Sequence, residues 1–288
     1  MSPTVVVTGG SRGIGRVCAG RLAHEGWRVV VVARASEQVS AAAASLPGHG
    51  HEGFALDVAD GARWRELAGA VGRIEGLVCA AGIIGPIGRP HQVDPAEFAR
   101  TLAVNVGGVF NAVCALELAA DVPVVAFSGG GATGPMPRFD AYAASKAALV
   151  RLVENLSAGG LRINAVAPGF VVTSIQDTVL TAGRERVGDA YYDKVAAAVA
   201  EGAGEDPEIA AACVAWLLSN EGRGVAGRLI SAPWDPWRDA GFADRLREDP
   251  DLATLRRIDD QFFARVPVPE EGSRQRFLDE RVFRHSPR

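Results

Sequence analysis

Residues 4–15 read TVVVTGGSRGIG, a valine-rich run that ends at a turn with four glycines. The run predicts a buried β-strand, and the apolar spacing from Ile14 to about Glu25 predicts a helix directly after the turn. Glycine lets the backbone turn tightly and approach a ligand, while a helix amino terminus attracts anions through its free N–H groups. The stretch therefore predicts the start of an α/β fold whose turn binds the pyrophosphate of a dinucleotide; an ordinary glycine-rich loop is the alternative. The predicted contacts are Gly9, Ser11, Arg12, Gly13, Ile14 and Gly15.

Alternating apolar runs and helical segments continue along the chain. Such alternation is typical of a doubly wound parallel sheet with helices on both faces. It predicts one Rossmann-type catalytic domain over residues 1–231, in which the weakly patterned segment 174–201 forms a mobile flap over a substrate. The predicted strands are 4–7, 29–33, 52–56, 77–79, 122–127, 161–166 and 228–231, and the predicted helices include 95–120 and 207–218.

Residues 232–288 differ in character from the rest of the chain. They carry mixed charges with scattered leucine and phenylalanine, whereas a purely disordered tail contains few aromatic residues. We therefore expect a single domain with a C-terminal extension, whose helical pieces dock on the core or on a neighbouring subunit.

Composition and charge narrow the classes of function. A chain of 288 residues can bury one large core, and a net charge of -4 with scattered charges offers no basic face for nucleic acid. The amino terminus enters a strand without a charged leader, and no uncharged apolar run is convincing as a membrane helix, so we expect neither secretion nor membrane insertion.

The cysteines lack metal-ligand spacing, so we expect no metal, a cytoplasmic location and reduced core thiols at all four positions. These positions are Cys18, Cys79, Cys114 and Cys213.

The ends of the second and third predicted strands bear on the choice of cofactor. An acidic residue after the second strand holds a ribose 2′-hydroxyl in dinucleotide folds, whereas an arginine suits a 2′-phosphate. Arg34 stands there, and with Arg12 it favours NADP(H) over NAD(H), although either arginine could simply be solvated. Asp57, followed by Val58, could accept a hydrogen bond from an adenine amino group, or could cap the helix that begins near Gly61. After the fourth strand, small residues would let a ribose pass close to the backbone; these are Ala80, Ala81 and Gly82.

The stretch from Phe127 to Lys146 carries the predicted proton chemistry. Tyr142 and Lys146 are four residues apart, so their side chains share one helix face. An ammonium group beside a phenol favours the phenolate and lowers its pKa toward working pH, which suits a proton donor. Taken alone, the pair could be a chance arrangement on a solvated helix. Ser128 precedes a glycine-rich turn at the start of the same stretch.

Two further irregularities suggest functional positions. Asn105 and two following glycines interrupt an apolar helix, at a cost in helix propensity. Pro168 and Gly169 break the chain at the carboxyl end of the sixth strand, shortly before Thr173, and ligands bind at this edge of open α/β sheets.

Together, these residues resemble the short-chain dehydrogenase/reductase family over about residues 4–231. The resemblance implies a Rossmann-type fold, a nicotinamide cofactor, and interconversion of an alcohol and a carbonyl. Tyr142 would be the acid/base, Lys146 would lower its pKa and hold the nicotinamide ribose, and Asn105 would order a water that links Lys146 to solvent. Ser128 would hydrogen-bond the substrate oxygen. The remaining implied contacts, to the nicotinamide carboxamide, are Pro168, Gly169 and Thr173.

The sequence departs from the family pattern at two of these places. Gly129 stands where the serine is expected, and Ser128 lies one position further from Tyr142. Either the glycine turn absorbs the extra residue, or Thr133 supplies the hydroxyl, or the site has none. Cys79 replaces an asparagine, which removes a structural hydrogen bond but should leave catalysis intact.

The leading hypothesis is an NADP(H)-dependent ketoreductase or alcohol dehydrogenase that acts on a small or mid-sized metabolite. The alternatives are a non-catalytic NADP(H) sensor or partner subunit, and a redox-neutral epimerase. The resemblance implies a homodimer or homotetramer. Five aromatic residues could line a substrate pocket or belong to the core or an interface, namely Phe139, Tyr191, Tyr192, Trp234 and Trp237.

Overall fold

The computed structural model describes residues 2–256 of the chain. Seven parallel strands form one sheet in the order β3-β2-β1-β4-β5-β6-β7. The strands are β1 (Thr4–Thr8), β2 (Arg28–Ala33), β3 (Glu52–Ala55), β4 (Gly76–Cys79), β5 (Val124–Phe127), β6 (Ile163–Ala167) and β7 (Leu229–Ser231). The helices are α1 (Gly13–His24), α2 (Ser36–Ala44), α3 (Gly61–Val71), α4 (Pro95–Leu102), α5 (Gly108–Leu116), α6 (Asp140–Ala158), α7 (Ser174–Val187), α8 (Asp189–Glu201), α9 (Pro207–Leu218) and α10 (Phe242–Glu248).

The strands are buried on both faces, which explains their runs of valine. Along β1, Val5 and Val7 face one apolar cluster with α1, α2 and α9, while Val6 faces a second cluster with α3, α5 and α6. In register, Val5 lies beside Val29 of β2 and Gly76 of β4. The predicted doubly wound α/β fold is confirmed. The strand order reverses between β1 and β4, and the crevice at this switch point is where ligands bind in such sheets.

The predicted helix over residues 95–120 is divided in the structure. After α4, a π-helical turn runs from Ala103 to Gly107, and α5 then ends at Leu116. Such turns admit an extra residue into a helix and often occur at functional sites. By length and composition alone, Pro95–Leu116 could cross a membrane. Its buried Thr101 and Asn105 lie in a helical stretch that packs against α6.

The segment predicted as a weakly patterned flap forms α7, which is kinked by non-helical backbone at Gly183, and α8. Thr173 caps α7 in a capping box with Gln176, a signal that the sequence analysis missed. Val179, Val187 and Val195 are buried in an apolar cluster that also contains Phe139. Burial of these valines explains why the segment is ordered into helices.

Part of the predicted extension packs within the same compact unit as the sheet, and this unit ends at Leu255. Trp237, Phe242 and Leu246 are buried in the cluster with α1 and α9. Trp237 is thus a core residue, whose Nε1 donates to the Ala232 carbonyl at 2.8 Å, rather than a pocket residue. Predicted docking of residues 257–288 lies outside the described residues.

One expectation about the cysteines is wrong. Cys18, Cys79 and Cys213 are buried and free, but Cys114 on α5 is exposed. Its side chain therefore lies on the surface of the protein and not in the core.

Candidate active site

The glycine turn after β1 packs directly on the turn after β4. Gly9 has a φ of 65°, and a Cβ atom there would lie 2.8 Å from the Ala81 nitrogen. A Cβ on Gly15 would lie 2.4 Å from the Gly9 carbonyl oxygen, so neither position has room for a side chain. The Thr8 hydroxyl accepts a hydrogen bond from the Ala81 N–H at 3.1 Å and ties the two turns together.

The amino terminus of α1 opens toward this edge of the sheet. No side chain caps the helix, since Arg12 at the capping position makes no such bond. Gly13 has a φ of 53°, and its Cβ would lie 3.5 Å from Thr173 Cγ2, which brings the sixth-strand turn against the glycine turn. Arg12 is exposed, while Ser11 and Ile14 are half-buried. Uncapped N–H groups beside a close-packed glycine turn fit the pyrophosphate of a dinucleotide.

The turn after β6 continues the same edge. Pro168 is buried, and Gly169 has a φ of 81°. A Cβ on Gly169 would lie 2.6 Å from Glu205 Cγ and 3.1 Å from Pro233 Cγ, so only glycine fits between them. Pro168, Gly169 and Thr173 would border the nicotinamide end of a bound cofactor.

Tyr142 and Lys146 lie on one face of α6 at the end of β5. The Lys146 Nζ donates to the Phe127 carbonyl oxygen at 2.7 Å and lies 5.5 Å from the centroid of the Tyr142 ring. Lys146 is almost completely buried. The structure therefore brings the two predicted proton-handling groups together.

Asn105 lies in the π turn and reaches the same place. Its Oδ1 accepts from the Ile83 N–H, and its Nδ2 donates to the Ile83 carbonyl and to the Ser145 hydroxyl, each at 2.9 Å. A Cβ on Gly82 would lie 3.4 Å from Asn105 Oδ1 and 3.7 Å from Lys146 Nζ. Gly82 thus keeps space open between the amide and the ammonium. The water link assigned to Asn105 stays a prediction.

The edge predicted to bind adenine contains a residue that the sequence analysis missed. Asp57 accepts from the Ala59 N–H at 3.0 Å and forms an ion pair with Arg100 of α4. Burial raises the pKa of Asp57, but the Ala59 N–H, Arg100 and Arg34 outweigh burial and hold this pKa below its ordinary value. Arg34 itself is exposed. A carboxylate and two arginines therefore meet at the ends of β2 and β3.

The alternative role of Asp57 as a helix cap is not found. Asp60 caps α3, and its side chain accepts from the N–H groups of Ala62 and Arg63. Val58 is buried, and its carbonyl oxygen accepts from Trp64 Nε1 at 2.9 Å. Asp57 therefore does not cap α3; its two carboxylate oxygens bind the Ala59 N–H and Arg100, and its contact with an adenine amino group stays a prediction.

The sequence model of the short chain dehydrogenase family matches residues 3–182. The chain belongs to the short-chain dehydrogenase family. It is 31% identical over 256 residues to levodione reductase of Leifsonia aquatica, which covers 83% of this chain and 94% of the relative. It is 33% identical over 254 residues to galactitol 2-dehydrogenase of Rhizobium johnstonii, with coverage of 82% and 93%. A solved variant of actinorhodin polyketide ketoreductase with NADPH has a TM-score of 0.72 at 26% identity, with coverage of 80% and 95%.

Membership of the short-chain dehydrogenase family fixes the class of reaction. The chain is an NAD(P)-dependent oxidoreductase that interconverts alcohol and carbonyl groups. The structure places Tyr142, Lys146 and Asn105 together at the carboxyl edge of the sheet, beside the glycine turn.

In this short-chain dehydrogenase, Gly129 occupies the position at which the family resemblance leads us to expect a serine. A Cβ on Gly129 would lie 2.4 Å from the Tyr142 hydroxyl oxygen, so that hydroxyl occupies the space of a side chain at position 129. Ser128 is buried, and its hydroxyl has no hydrogen-bond partner in the described part of the chain. Thr133 is exposed on the turn. The assignment of Ser128 to catalysis stays a prediction.

Burial controls the charge of Tyr142 and Lys146. Burial raises the pKa of Tyr142 to about 12, and the nearby phenol of Tyr191 adds to the rise. Burial lowers the pKa of Lys146 to about 8. The expected lowering of the Tyr142 pKa is therefore not found, because burial, which penalises the charged phenolate, sets the direction of the shift.

The buried lysine should make stability depend on pH. The pKa of Lys146 is about 8 in the folded protein, against an ordinary value of 10.5. Between these values the unfolded chain holds the proton and the folded protein does not, so the free energy of unfolding rises with pH. The destabilisation is complete below pH 8 and is relieved as pH approaches 10.5. The free energy of unfolding of the wild type minus that of Lys146→Met should increase by about 3 kcal/mol across this window.

Urea unfolding of both proteins across the window measures this difference. The buried cysteines, whose pKa values are also raised, are common to both proteins and cancel in the subtraction. A difference that stays constant with pH would show that Lys146 has an ordinary pKa.

Proposed function

We propose that this short-chain dehydrogenase is an NADP(H)-dependent ketoreductase, or in the reverse direction an alcohol dehydrogenase, acting on a small or mid-sized metabolite. The observation that carries the proposal is the position of the Tyr142 hydroxyl, which fills the space that a side chain at Gly129 would occupy and lies beside the buried Lys146. A proton donor is thereby held at the sheet edge where the nicotinamide end of a cofactor would lie.

In reduction, a bound NADPH would supply a hydride with its electron pair to the carbonyl carbon of the substrate and would become NADP⁺, so that the C=O π pair would move to oxygen. Tyr142 gives its proton to this oxygen, so the products are an alcohol and a phenolate. Lys146 holds positive charge next to the phenolate and favours it, until a proton from solvent restores the phenol. The raised pKa of Tyr142 keeps the donor protonated at neutral pH.

A spectrophotometric panel tests the function. NADPH absorbance would be followed with aliphatic, alicyclic and aromatic ketones, and NADP⁺ reduction with the matching alcohols. Turnover of at least one ketone, dependent on Tyr142, supports the proposal. Tight NADPH binding without turnover of any member would instead support a sensor.

The preference for NADP(H) is part of the proposal. Arg34 and Arg12 are exposed at the ends of β2 and of the glycine turn, and the charge of Arg34 already reaches Asp57. An arginine on a 2′-phosphate is a charge-assisted hydrogen bond, which contributes about 1.5–3 kcal/mol. The solved ketoreductase relative was crystallised with NADPH, which is consistent with this preference.

Arg34→Ala should therefore weaken NADPH binding by about ten- to a hundredfold and NADH binding by less than about threefold. Isothermal titration of both cofactors measures the two dissociation constants. Arg65→Ala, which removes an exposed arginine from α3, is the matched control and should leave both constants unchanged. Equal weakening of NADPH and NADH would show that Arg34 does not contact the 2′-phosphate.

We further propose a cytoplasmic homodimer or homotetramer. The helices around Asn105 and Tyr142 are rich in small residues that permit close packing, and Phe110 on α5 is 48% exposed. A large exposed aromatic side chain on a helix face is consistent with burial against a second subunit. Light scattering on a sizing column would give the mass, and a monomer would contradict this assembly.

A further inference from the structure

Reduction of a ketone benefits from two hydrogen-bond donors at the carbonyl oxygen, because negative charge develops there during hydride transfer. Tyr142 is one donor. The turn that should provide the second has glycine at position 129, and the Ser128 hydroxyl is buried rather than open to a substrate. Thr133 lies exposed further along the turn. A second donor must therefore come from another element, unless the site has only one.

The first turn of α8 brings a phenol to this place. The ring of Tyr191 packs edge-on against Phe139, with 5.1 Å between centroids and 68° between planes. Phe139 immediately precedes α6, and Tyr142 follows three residues later. Tyr142 and Tyr191 pack against the same apolar cluster of buried residues. The two tyrosine side chains therefore lie beside the same cluster, near the start of α6.

Side-chain contacts hold α8 in this position. The Arg138 guanidinium donates to the Glu185 carbonyl at 2.5 Å and to the Arg186 carbonyl at 3.3 Å, at the end of α7. A Cβ on Gly188, where α8 begins, would lie 3.5 Å from Arg138 Cζ. Arg138 directly precedes Phe139, so one short segment positions both Tyr142 and the helix that carries Tyr191.

The hydroxyl of Tyr191 is available for a ligand. The residue is half-buried, and no residue within 2–256 forms a hydrogen bond with its phenol oxygen. The ring of its neighbour Tyr192 packs differently, with the Arg184 guanidinium 4.8 Å from the ring centroid. Tyr191 also raises the pKa of Tyr142 after the larger effect of burial, which is consistent with two nearby phenols.

We propose that Tyr191 donates the second hydrogen bond to the substrate oxygen, in place of the serine that position 129 lacks. The proposal rests on the ketoreductase function. During reduction Tyr191 keeps its own proton, and its hydrogen bond strengthens as the carbonyl oxygen gains the π electron pair. The proton that completes the alcohol still comes from Tyr142. Tyr191 is then a catalytic residue supplied by α8 rather than by the turn after β5.

The test compares three variants with the wild type on a ketone that the wild type reduces. Tyr191→Phe keeps the ring against Phe139 and should lower kcat by about a hundredfold, with NADPH binding unchanged. Tyr192→Phe, the matched control on the same helix turn, should retain kcat within about threefold. Ser128→Ala should cost less than Tyr191→Phe. With deuterated NADPH, the isotope effect on kcat should rise in Tyr191→Phe, because hydride transfer becomes slower relative to other steps.

Two activity results would overturn the proposal. One is a Tyr191→Phe enzyme with wild-type kcat and isotope effect, and the other is a larger loss of kcat in Ser128→Ala.

A third test needs no turnover, since the chain has only three tyrosines and their labelled ring carbons can be followed by NMR. The ring signals of Tyr142 at neutral pH should shift in Tyr191→Phe and not in Tyr192→Phe. Unshifted Tyr142 signals in Tyr191→Phe would place the phenols apart and overturn the proposal even if no ketone is reduced, whereas failure of the ketone panel alone would contradict only the ketoreductase function.

Discussion

Tyr142→Phe should lower kcat for ketone reduction by about a thousandfold while NADPH binding stays within about threefold of the wild type. The substitution removes only the hydroxyl. The ring can still pack in its apolar cluster, and Lys146 can still donate to the Phe127 carbonyl. Without a proton donor, the developing alkoxide must take its proton from water. Steady-state rates and fluorescence titration with NADPH would measure the two effects separately.

The unchanged NADPH affinity is the internal control for this variant. If both kcat and affinity fell together, the substitution would have disturbed the site as a whole. Retention of kcat within about tenfold would remove Tyr142 from its role as proton donor.

Gly129→Ala should lower kcat by about a hundredfold, because its new Cβ and the Tyr142 hydroxyl cannot occupy the same space. The two atoms would lie 2.4 Å apart, so the tyrosine must shift by about 1 Å to regain van der Waals contact. A displacement of this size in a reacting group costs about a hundredfold in rate. Steady-state kinetics with saturating NADPH would measure the loss.

Gly130→Ala is the matched control for this effect. Its Cβ would meet only Met136 Sδ, at an ordinary 3.7 Å, and its φ lies outside the left-handed region. The control should retain wild-type kcat, and circular dichroism should show that both variants fold. Wild-type kcat in Gly129→Ala would mean that the Tyr142 hydroxyl lies elsewhere during turnover. The same clash implies that Gly129→Ser would not simply restore the family arrangement.

Much of the fold and some of the site follow from the sequence. Valine runs, glycine turns and helical spacing predict the parallel sheet and place the glycine turn at its switch point. Asn105 stands out because it breaks a helical pattern, and the structure places it in a π turn beside Lys146. Local rules are sufficient for these features because the signals lie within a few residues of each other.

The features that the sequence did not predict depend on contacts between distant residues. Asp57 and Arg100 are 43 residues apart, and no local pattern pairs them. The approach of Tyr191 to Tyr142 likewise depends on how α8 packs against the start of α6. The pKa values of Tyr142 and Lys146 depend on burial, which a helical spacing does not reveal, and this explains why the expected direction for Tyr142 was wrong.

The π turn at Ala103–Gly107 determines how α4 and α5 are rotated relative to each other. In terms of chain length it is an insertion of one residue into a helix. Each residue of an α-helix turns the chain by about 100°, so this insertion sets the angular phase of α5 relative to α4. Loss of one residue here would leave a helix of nearly the same length, yet would rotate the Asn105 amide away from Ile83. With the extra residue, this helical stretch positions Asn105 in the candidate site; without it, the stretch would only support the sheet.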